Sequence, residues 1–108
     1  MEPDKSLKIN GYENGVKNKI NIRFETTGQF KVQIIIDPIK TMEELIHSYF
    51  EKIGKSNLFG DKSIIFLANG QSIEHDSKVL IKEFFKRESD DVSTIVVNDQ
   101  EDKINNIQ

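Results

Sequence analysis

The two histidines of this sequence, His47 and His75, have neighbours with which they could form a metal site or a catalytic site. His47 lies four residues after Glu43 and four residues before Glu51. On a helix this spacing puts the three side chains on one face, where imidazole and carboxylate groups could hold a metal ion. The same spacing is typical of charged residues that pair on a solvated helical face, and we favour that interpretation.

The second histidine stands in the sequence His75-Asp76-Ser77, whose residue types are those of a nucleophilic relay. A catalytic triad is defined by geometry, and adjacent residues rarely point at one another productively. The sequence contains no cysteine, which excludes a thiol nucleophile, a thiolate metal site and a disulfide framework. We therefore predict no catalytic residue, no metal and no cofactor, and we keep a small enzyme only as the alternative class.

The segment IIFLANGQSI, residues 64–73, could be either a ligand-binding loop or a strand that turns back on itself. A phosphate-binding loop would need more glycines, or a Gly-Lys-Ser/Thr ending before a helix, and neither occurs here. Asn69-Gly70 is instead a strong hairpin signal, because both residues tolerate the positive φ of a type I′ turn. The segment is predicted to be strand, turn and short strand, with Phe66 facing inward.

The elements around these residues follow from hydrophobic periodicity. Ile20, Ile22 and Phe24 alternate with polar residues, as in a half-buried strand, and Gly28 marks a hairpin turn. In the second strand, one face is predicted to hold Phe30, Val32, Ile34 and Ile36, and the other Lys31, Gln33 and Ile35.

A helix is predicted next, because the period changes after Asp37-Pro38. Thr41 and Glu44 have the spacing of a capping box, and Gly54 is a natural helix terminator. The apolar stripe of the predicted helix comprises Met42, Leu45, Ile46, Tyr49, Phe50 and Ile53. A helical turn is expected within residues 79–85, and the final strand VSTIVVN should turn Ile95 and Val97 inward.

This element order predicts an α+β fold, in which one helix packs across a mixed four- to five-stranded sheet. With the last strand beside the first, it is the β-grasp arrangement. We expect the domain to span residues 19–99, between flexible polar tails at 1–18 and 100–108. The net charge of −3 gives no basic excess for a nucleic-acid partner, and no apolar run reaches the ~20 residues of a membrane span. A cytoplasmic or nuclear monomer is expected.

The segments TMEELIHSYFEKIG, FLANGQSIEHDS and STIVVND, in this order, resemble the ubiquitin-like superfamily and most of all the small ubiquitin-like modifiers (SUMO). The helix of that family carries a Ser-Tyr pair followed five residues later by glycine, as at Ser48, Tyr49 and Gly54. Its third strand reads Phe-Leu, two residues, then Gly-Gln-x-Ile, as residues 66–73 do here. A Ras-binding β-grasp domain has a similar element order and stays as an alternative.

One departure from the family concerns its chemistry. Conjugated modifiers end, after processing, in Gly-Gly, and Lys103 and Ile104 lie about where those glycines would align; no Gly-Gly occurs in this sequence. The resemblance therefore implies a domain that other proteins bind, as part of a larger protein, with an unusually processed modifier as the alternative. The sequence FKRE, residues 85–88, also resembles the acceptor motif for SUMO attachment, but it is short and we do not favour it.

The resemblance implies two surfaces for protein partners of the ubiquitin- or SUMO-receptor type. The first is the side of the sheet away from the helix, where Ile65, Leu67 and Val96 should cluster, with Leu67 aligned to the central isoleucine of ubiquitin's receptor-binding surface. The second is the groove between the second strand and the helix, where SUMO accepts an added peptide strand. The groove positions are Val32, Ile34, Leu45, Tyr49 and Lys52, with Ile35 where that family typically has lysine.

Overall fold

The computed structural model describes residues 19–28, 30–85 and 92–104. Five strands form one sheet: β1 is Ile20–Thr26, β2 is Lys31–Ile36, β3 is Ile64–Ala68, β4 is Gln71–Ile73 and β5 is Ser93–Asp99. The principal helix α1 is Met42–Lys52, a short 3₁₀ helix is Ser56–Leu58, and α2 is the single turn Ile81–Phe84. The α+β architecture predicted from the element order is confirmed.

The sheet has the spatial order β2-β1-β5-β3-β4. The first hairpin is antiparallel, β5 runs parallel to β1, and β3 runs antiparallel to both of its neighbours, β5 and β4. The last strand therefore lies beside the first at the centre, as predicted, and the sheet is mixed. Strands β2 and β4 form its two edges.

Alternation of apolar and polar residues decides which side of each strand is buried. Ile22, Phe24, Ile95 and Val97 are fully buried beneath the helix, as their spacing predicted. Phe30 is the exception, because its side chain is 54% exposed although it was predicted to share a face with Val32, Ile34 and Ile36. It precedes the first residue of β2, so the strand's alternation does not extend to it.

Helix α1 begins and ends as its sequence predicted. The Glu44 backbone N–H donates to Thr41 Oγ1 over 3.2 Å, and the Thr41 N–H donates to Glu44 Oε1 over 2.9 Å, which completes the capping box. After the last turn Gly54 adopts a φ of +75°, and the Lys55 N–H donates to the Phe50 carbonyl. This Schellman arrangement requires a left-handed residue, which explains the glycine.

The centre of the core is an aromatic cluster between α1 and the sheet. The rings of Phe24 and Tyr49 stack with centroids 4.3 Å apart, and Phe66 lies edge-on to both at 5.9 Å. Phe50 completes the cluster 5.7 Å from Phe66. The inward orientation predicted for Phe66 is confirmed.

The turn between β3 and β4 is the predicted hairpin. Asn69 has a φ of 53° and Gly70 a φ of 73°, the pair of positive values that a type I′ turn needs. Asn69 also donates from Nδ2 to the Phe84 carbonyl over 3.2 Å, which ties the turn to the end of α2. Residues 64–73 therefore form the predicted strand, turn and short strand.

The folded chain extends past the predicted boundary at residue 99. The Gln100 N–H donates to the Ser63 carbonyl over 2.9 Å, and Ile104 joins the core with 8% of its surface exposed. The tail predicted to start at residue 100 was thus wrong for residues 100–104. The predicted tail at 1–18 and the remainder of the second tail, 105–108, lie outside the described residues.

Candidate functional site

The outer face is the side of the sheet opposite α1, and its centre carries an apolar cluster. Leu67 of β3 and Val96 of β5 are directly opposed across the two strands, with 37% and 41% of their surfaces exposed. Ile65, two residues from Leu67 on the same strand, points to the same side and is half-buried. The structure therefore brings together the three residues predicted for this surface, and we call them the outer-face patch.

The strand register identifies the polar neighbours of the patch. Ser72 lies opposite Leu67, Asn98 lies opposite Ile65, and Glu25 lies beside Val96. Glu25 is the charged member of this rim, and its Oε2 lies 2.8 Å from Arg23 Nε in a half-exposed salt bridge. The register neighbours of the patch are thus two uncharged residues, Ser72 and Asn98, and one carboxylate that is paired with Arg23.

A second exposed apolar position on the outer face is Ile35, at the far edge of the sheet. Its register partner is Asn21, and its side chain is 66% exposed. Ile35 was assigned to the groove between β2 and α1, but strand alternation puts its side chain on the outer face.

The groove between β2 and α1 is filled by core side chains. Leu45 and Tyr49 are 0% and 1% exposed, Ile34 is 7% exposed, and Val32 is half-buried against the core. A partner bound to the edge of β2 could not contact Leu45 or Tyr49 in this conformation. Both are core residues in this conformation because the helix packs closely on the sheet, and their assignment as contact residues stays a prediction.

Lys52 is the exposed member of the predicted groove set, and it occupies the edge that an added strand would use. Its Nζ donates to the Gln33 carbonyl over 2.9 Å. In an antiparallel pair, alternate residues direct both backbone groups away from the neighbouring strand, and Gln33 of β2 is such a residue. A peptide that extended the sheet at β2 would have to displace this ammonium group.

A surface depression of about 480 Å³ lies where β2 meets the start of α1. Its ionisable lining includes Lys19, Lys40, Asp37 and Glu44, two cations and two anions. A hydrogen bond from the Thr41 backbone N–H lowers the pKa of Glu44. The mixed charges favour no ligand of one sign, so this depression is a weak candidate for a binding site.

The two histidines have structural partners. His47 stacks on Phe59 with ring centroids 3.7 Å apart, while Glu43 pairs with Lys78. His75 Nδ1 accepts from the Gly60 N–H over 2.7 Å, and its Nε2 donates to the Ile64 carbonyl over 2.8 Å. These partners require the neutral Nε2–H tautomer, because a backbone N–H can bond only to an unprotonated ring nitrogen.

Among the residues that the structure describes, the remaining chemical motifs form no assembled site. Ser77 Oγ accepts from the Val79 N–H over 3.3 Å, so it caps its own loop. Within residues 19–28, 30–85 and 92–104, no three metal-ligating side chains converge. In the same ranges no helix has the length and apolar character needed to cross a membrane. Of the FKRE motif, Phe85 is buried and residues 86–88 lie outside the described residues.

Structural similarity to known proteins also supports the fold. A ubiquitin-fold protein from Arabidopsis thaliana matches with a TM-score of 0.59 and 17% identity, over 80% of this chain and 90% of that one. A protein designed de novo on the basis of ubiquitin matches with a TM-score of 0.54 and 19% identity, over 74% and 87%. No protein-family model and no curated protein matches the chain.

At these identities the likeness establishes the architecture and nothing finer. The element order, the central parallel pair of β1 and β5, and both structural neighbours agree. The predicted similarity to SUMO in particular has no support from these neighbours. The chain has the ubiquitin-like β-grasp fold.

Proposed function

We propose that this domain is a non-enzymatic protein-interaction module that binds protein partners through the outer-face patch of Ile65, Leu67 and Val96. The observation that carries the proposal is the direct opposition of Leu67 and Val96, each more than a third exposed, at the centre of the sheet. Aliphatic side chains grouped on an exposed sheet face are typical of a partner site. The patch is small, so the interaction is expected to be transient.

The rim of the patch supports a partner that is recognised mainly by apolar contact. Ser72 and Asn98 offer uncharged hydrogen-bonding groups, and Glu25 is held by Arg23. Binding through such a surface depends on desolvation of Leu67 and Val96 rather than on charge attraction. The affinity should accordingly change little with salt concentration.

The groove at β2 is the weaker candidate for the same function. Its apolar members are core residues, and the Gln33 carbonyl already has Lys52 as a partner. An added peptide strand would gain backbone hydrogen bonds there, but it would first have to remove the lysine. These two facts favour the outer face over strand addition.

The alternative function is a covalent modifier of the ubiquitin or SUMO type, with unusual processing. The sequence holds no Gly-Gly, and residues 103 and 104 are folded against the domain. Incubation with ATP and a lysate that contains activating and conjugating enzymes should give no thioester and no higher-mass adduct. A ladder of adducts that depends on the segment after residue 99 would establish the alternative.

Affinity capture from lysate with matched surface variants tests the proposal. Leu67→Arg puts a charge in the centre of the patch and should abolish capture, while the melting temperature stays near that of the wild type because the position is exposed. Lys52→Glu, at the edge of β2, should leave capture unchanged. The reverse result, in which Lys52→Glu abolishes capture and Leu67→Arg leaves it unchanged, would assign partner binding to the groove.

A further inference from the structure

Residues 99–104 form a folded-back segment after β5, which we call the C-terminal latch. Asp99 is the last residue of β5, faces the core and is 9% exposed. Its Oδ1 accepts from the Lys103 backbone N–H over 2.9 Å and its Oδ2 from the Ile104 N–H over 2.6 Å. A carboxylate at this depth is costly unless it is hydrogen-bonded, so the returning chain satisfies it.

A tight turn makes this return possible. The Asp102 N–H donates to the Asp99 carbonyl over 3.2 Å, and Asp102 has a φ of 56°, in the left-handed region that aspartate tolerates better than most residues. The turn reverses the chain towards the core side of the sheet, where Ile95 and Val97 also point. Ile104 is thereby inserted into the core cluster.

The latch is joined to the loop before β3 by an ion pair. Lys103 Nζ lies 2.6 Å from Asp61 Oδ2 and 3.2 Å from Glu101 Oε1. The other oxygen of Asp61 accepts from the backbone N–H and the hydroxyl of Ser63, over 2.9 and 2.8 Å. These bonds hold the Asp61 carboxylate in position to receive the lysine.

The contacts that close the latch can be lost without breaking the sheet. The ladder between β3 and β5 runs from Leu67↔Val96 to Ile64↔Asp99, and the Gln100 N–H extends it to Ser63. Beyond this point the latch is held by one buried apolar side chain, by the hydrogen bonds from two backbone N–H groups to the Asp99 carboxylate, and by a part-exposed ion pair. Segments with so few buried contacts open locally at a lower free energy than the core.

We propose that the C-terminal latch opens and closes as one unit on the intact domain, and that the Asp61–Lys103 ion pair sets the fraction of time it is closed. Opening releases the Ile104 side chain from the core and the Lys103 and Ile104 N–H groups from Asp99 together, because the same turn positions all three groups. The closed latch keeps Ile104 in the core cluster, on the side of the sheet opposite the outer-face patch. The proposal does not depend on the patch being a binding site, since none of these contacts involves Leu67 or Val96.

Amide hydrogen exchange measured by NMR on the full chain tests the latch. The Lys103 and Ile104 amides should exchange more slowly than in an unstructured peptide but faster than the central amides of β1. Asp61→Asn keeps an oxygen for Ser63 and removes the charge that binds Lys103. It should raise the exchange rates of both amides together by about two- to five-fold, the range of an exposed ion pair.

Three variants complete the test. Lys103→Gln breaks the same ion pair from the other side and should give the same increase. Asp102→Asn removes one carboxylate from the same turn, keeps a residue that tolerates positive φ, and should leave the protection factors of both amides, corrected for the intrinsic exchange rates of the new sequence, unchanged. Ile104→Ala removes most of the side chain that packs in the core, and it should speed amide exchange at Lys103 as well as at residue 104.

Specific results would overturn the proposal. Exchange of both amides at the unstructured rate would mean that the latch does not close. Protection equal to that of β1 would mean that it opens only when the domain unfolds. If only one of the two amides responded to Asp61→Asn or Lys103→Gln, the latch would not open as one unit under the control of the ion pair. If neither variant changed the exchange of either amide, the ion pair would not set the fraction of time that the latch is closed.

Discussion

The rings of Phe24 and Tyr49 lie stacked at a centroid distance of 4.3 Å and an interplanar angle of 15°. This contact joins β1 to α1 through the middle of the core, and it accounts for the 1% exposure of a tyrosine that sequence similarity had placed in a surface groove. A tyrosine in this position is a structural residue. Its ionisation should therefore be coupled to folding.

Alkaline pH should destabilise the domain through Tyr49. Burial, with a smaller contribution from the charge of Asp99, raises the pKa of Tyr49 to about 12, against about 10 in the unfolded chain. From about pH 10 to about pH 12 the unfolded chain loses a proton that the folded domain retains, so stability falls as pH rises through this window. A difference of two pKa units corresponds to about 3 kcal/mol.

Denaturant unfolding across this window checks the prediction. The free energy of unfolding should decline more in the wild type than in Tyr49→Phe, which keeps the ring but has no ionisable hydroxyl. Phenolate absorbance of the folded domain should show Tyr49 titrating well above its ordinary range. Equal slopes in the two proteins would contradict the coupling.

Phe66→Ala should be strongly destabilising. The side chain is fully buried and lies edge-on to Phe24 and Tyr49, so its truncation leaves a cavity that costs about 3–5 kcal/mol. Leu67→Ala, the next residue of β3, removes a side chain that is 37% exposed and should cost less than about 1 kcal/mol. Thermal or denaturant unfolding of the two variants gives the comparison; equal losses would mean that the strand's inward side is misassigned.

Acid should weaken the ion pair of the C-terminal latch. Hydrogen bonds from Lys103 and then from Ser63 lower the pKa of Asp61 to about 2, below its value of roughly 4 in an unfolded chain. The contribution of Asp61 to stability is therefore present above about pH 4 and is lost as pH falls towards 2. Asp61→Asn should flatten this part of the acid unfolding profile, whereas Asp102→Asn should leave it as steep as in the wild type.

Replacing each histidine by phenylalanine should separate their roles. His75→Phe keeps an aromatic ring near Phe50 and Phe66 but loses the bonds to Gly60 and Ile64, and should cost about 1–3 kcal/mol. His47→Phe preserves the stack on Phe59 and should be close to neutral. Chemical denaturation measures both. A neutral His75→Phe would show that the two backbone bonds contribute little.

Local signals in the sequence predicted most of the architecture. The positive φ angles at Asn69 and Gly70, and the capping box of Thr41 and Glu44, each depend on residues that are close in sequence. Alternation also predicted the orientation of Leu67 and Val96, because strand side chains change sides at every residue. These features need no knowledge of how distant elements pack.

Features that depend on packing depth were not predictable in this way. Periodicity identifies the apolar stripe of α1, but it does not tell how closely the helix approaches β2, and this distance decides that Leu45 and Tyr49 are inaccessible. The latch was missed for a related reason, since Ile104 contacts residues far away in sequence. Its one sequence signal is Asp99, an acidic residue at an inward position of β5, which needs partners from the following chain.

Site-specific photo-crosslinking in lysate would show whether protein partners bind the outer-face patch. A benzophenone side chain at position 72 would lie beside Leu67, at an exposed serine, and the same group at position 51 would lie on the exposed side of α1. Discrete protein adducts that disappear with Leu67→Arg are expected from position 72, and none from position 51. Adducts from position 51 alone, or adducts from position 72 that persist with Leu67→Arg, would contradict binding at the outer-face patch.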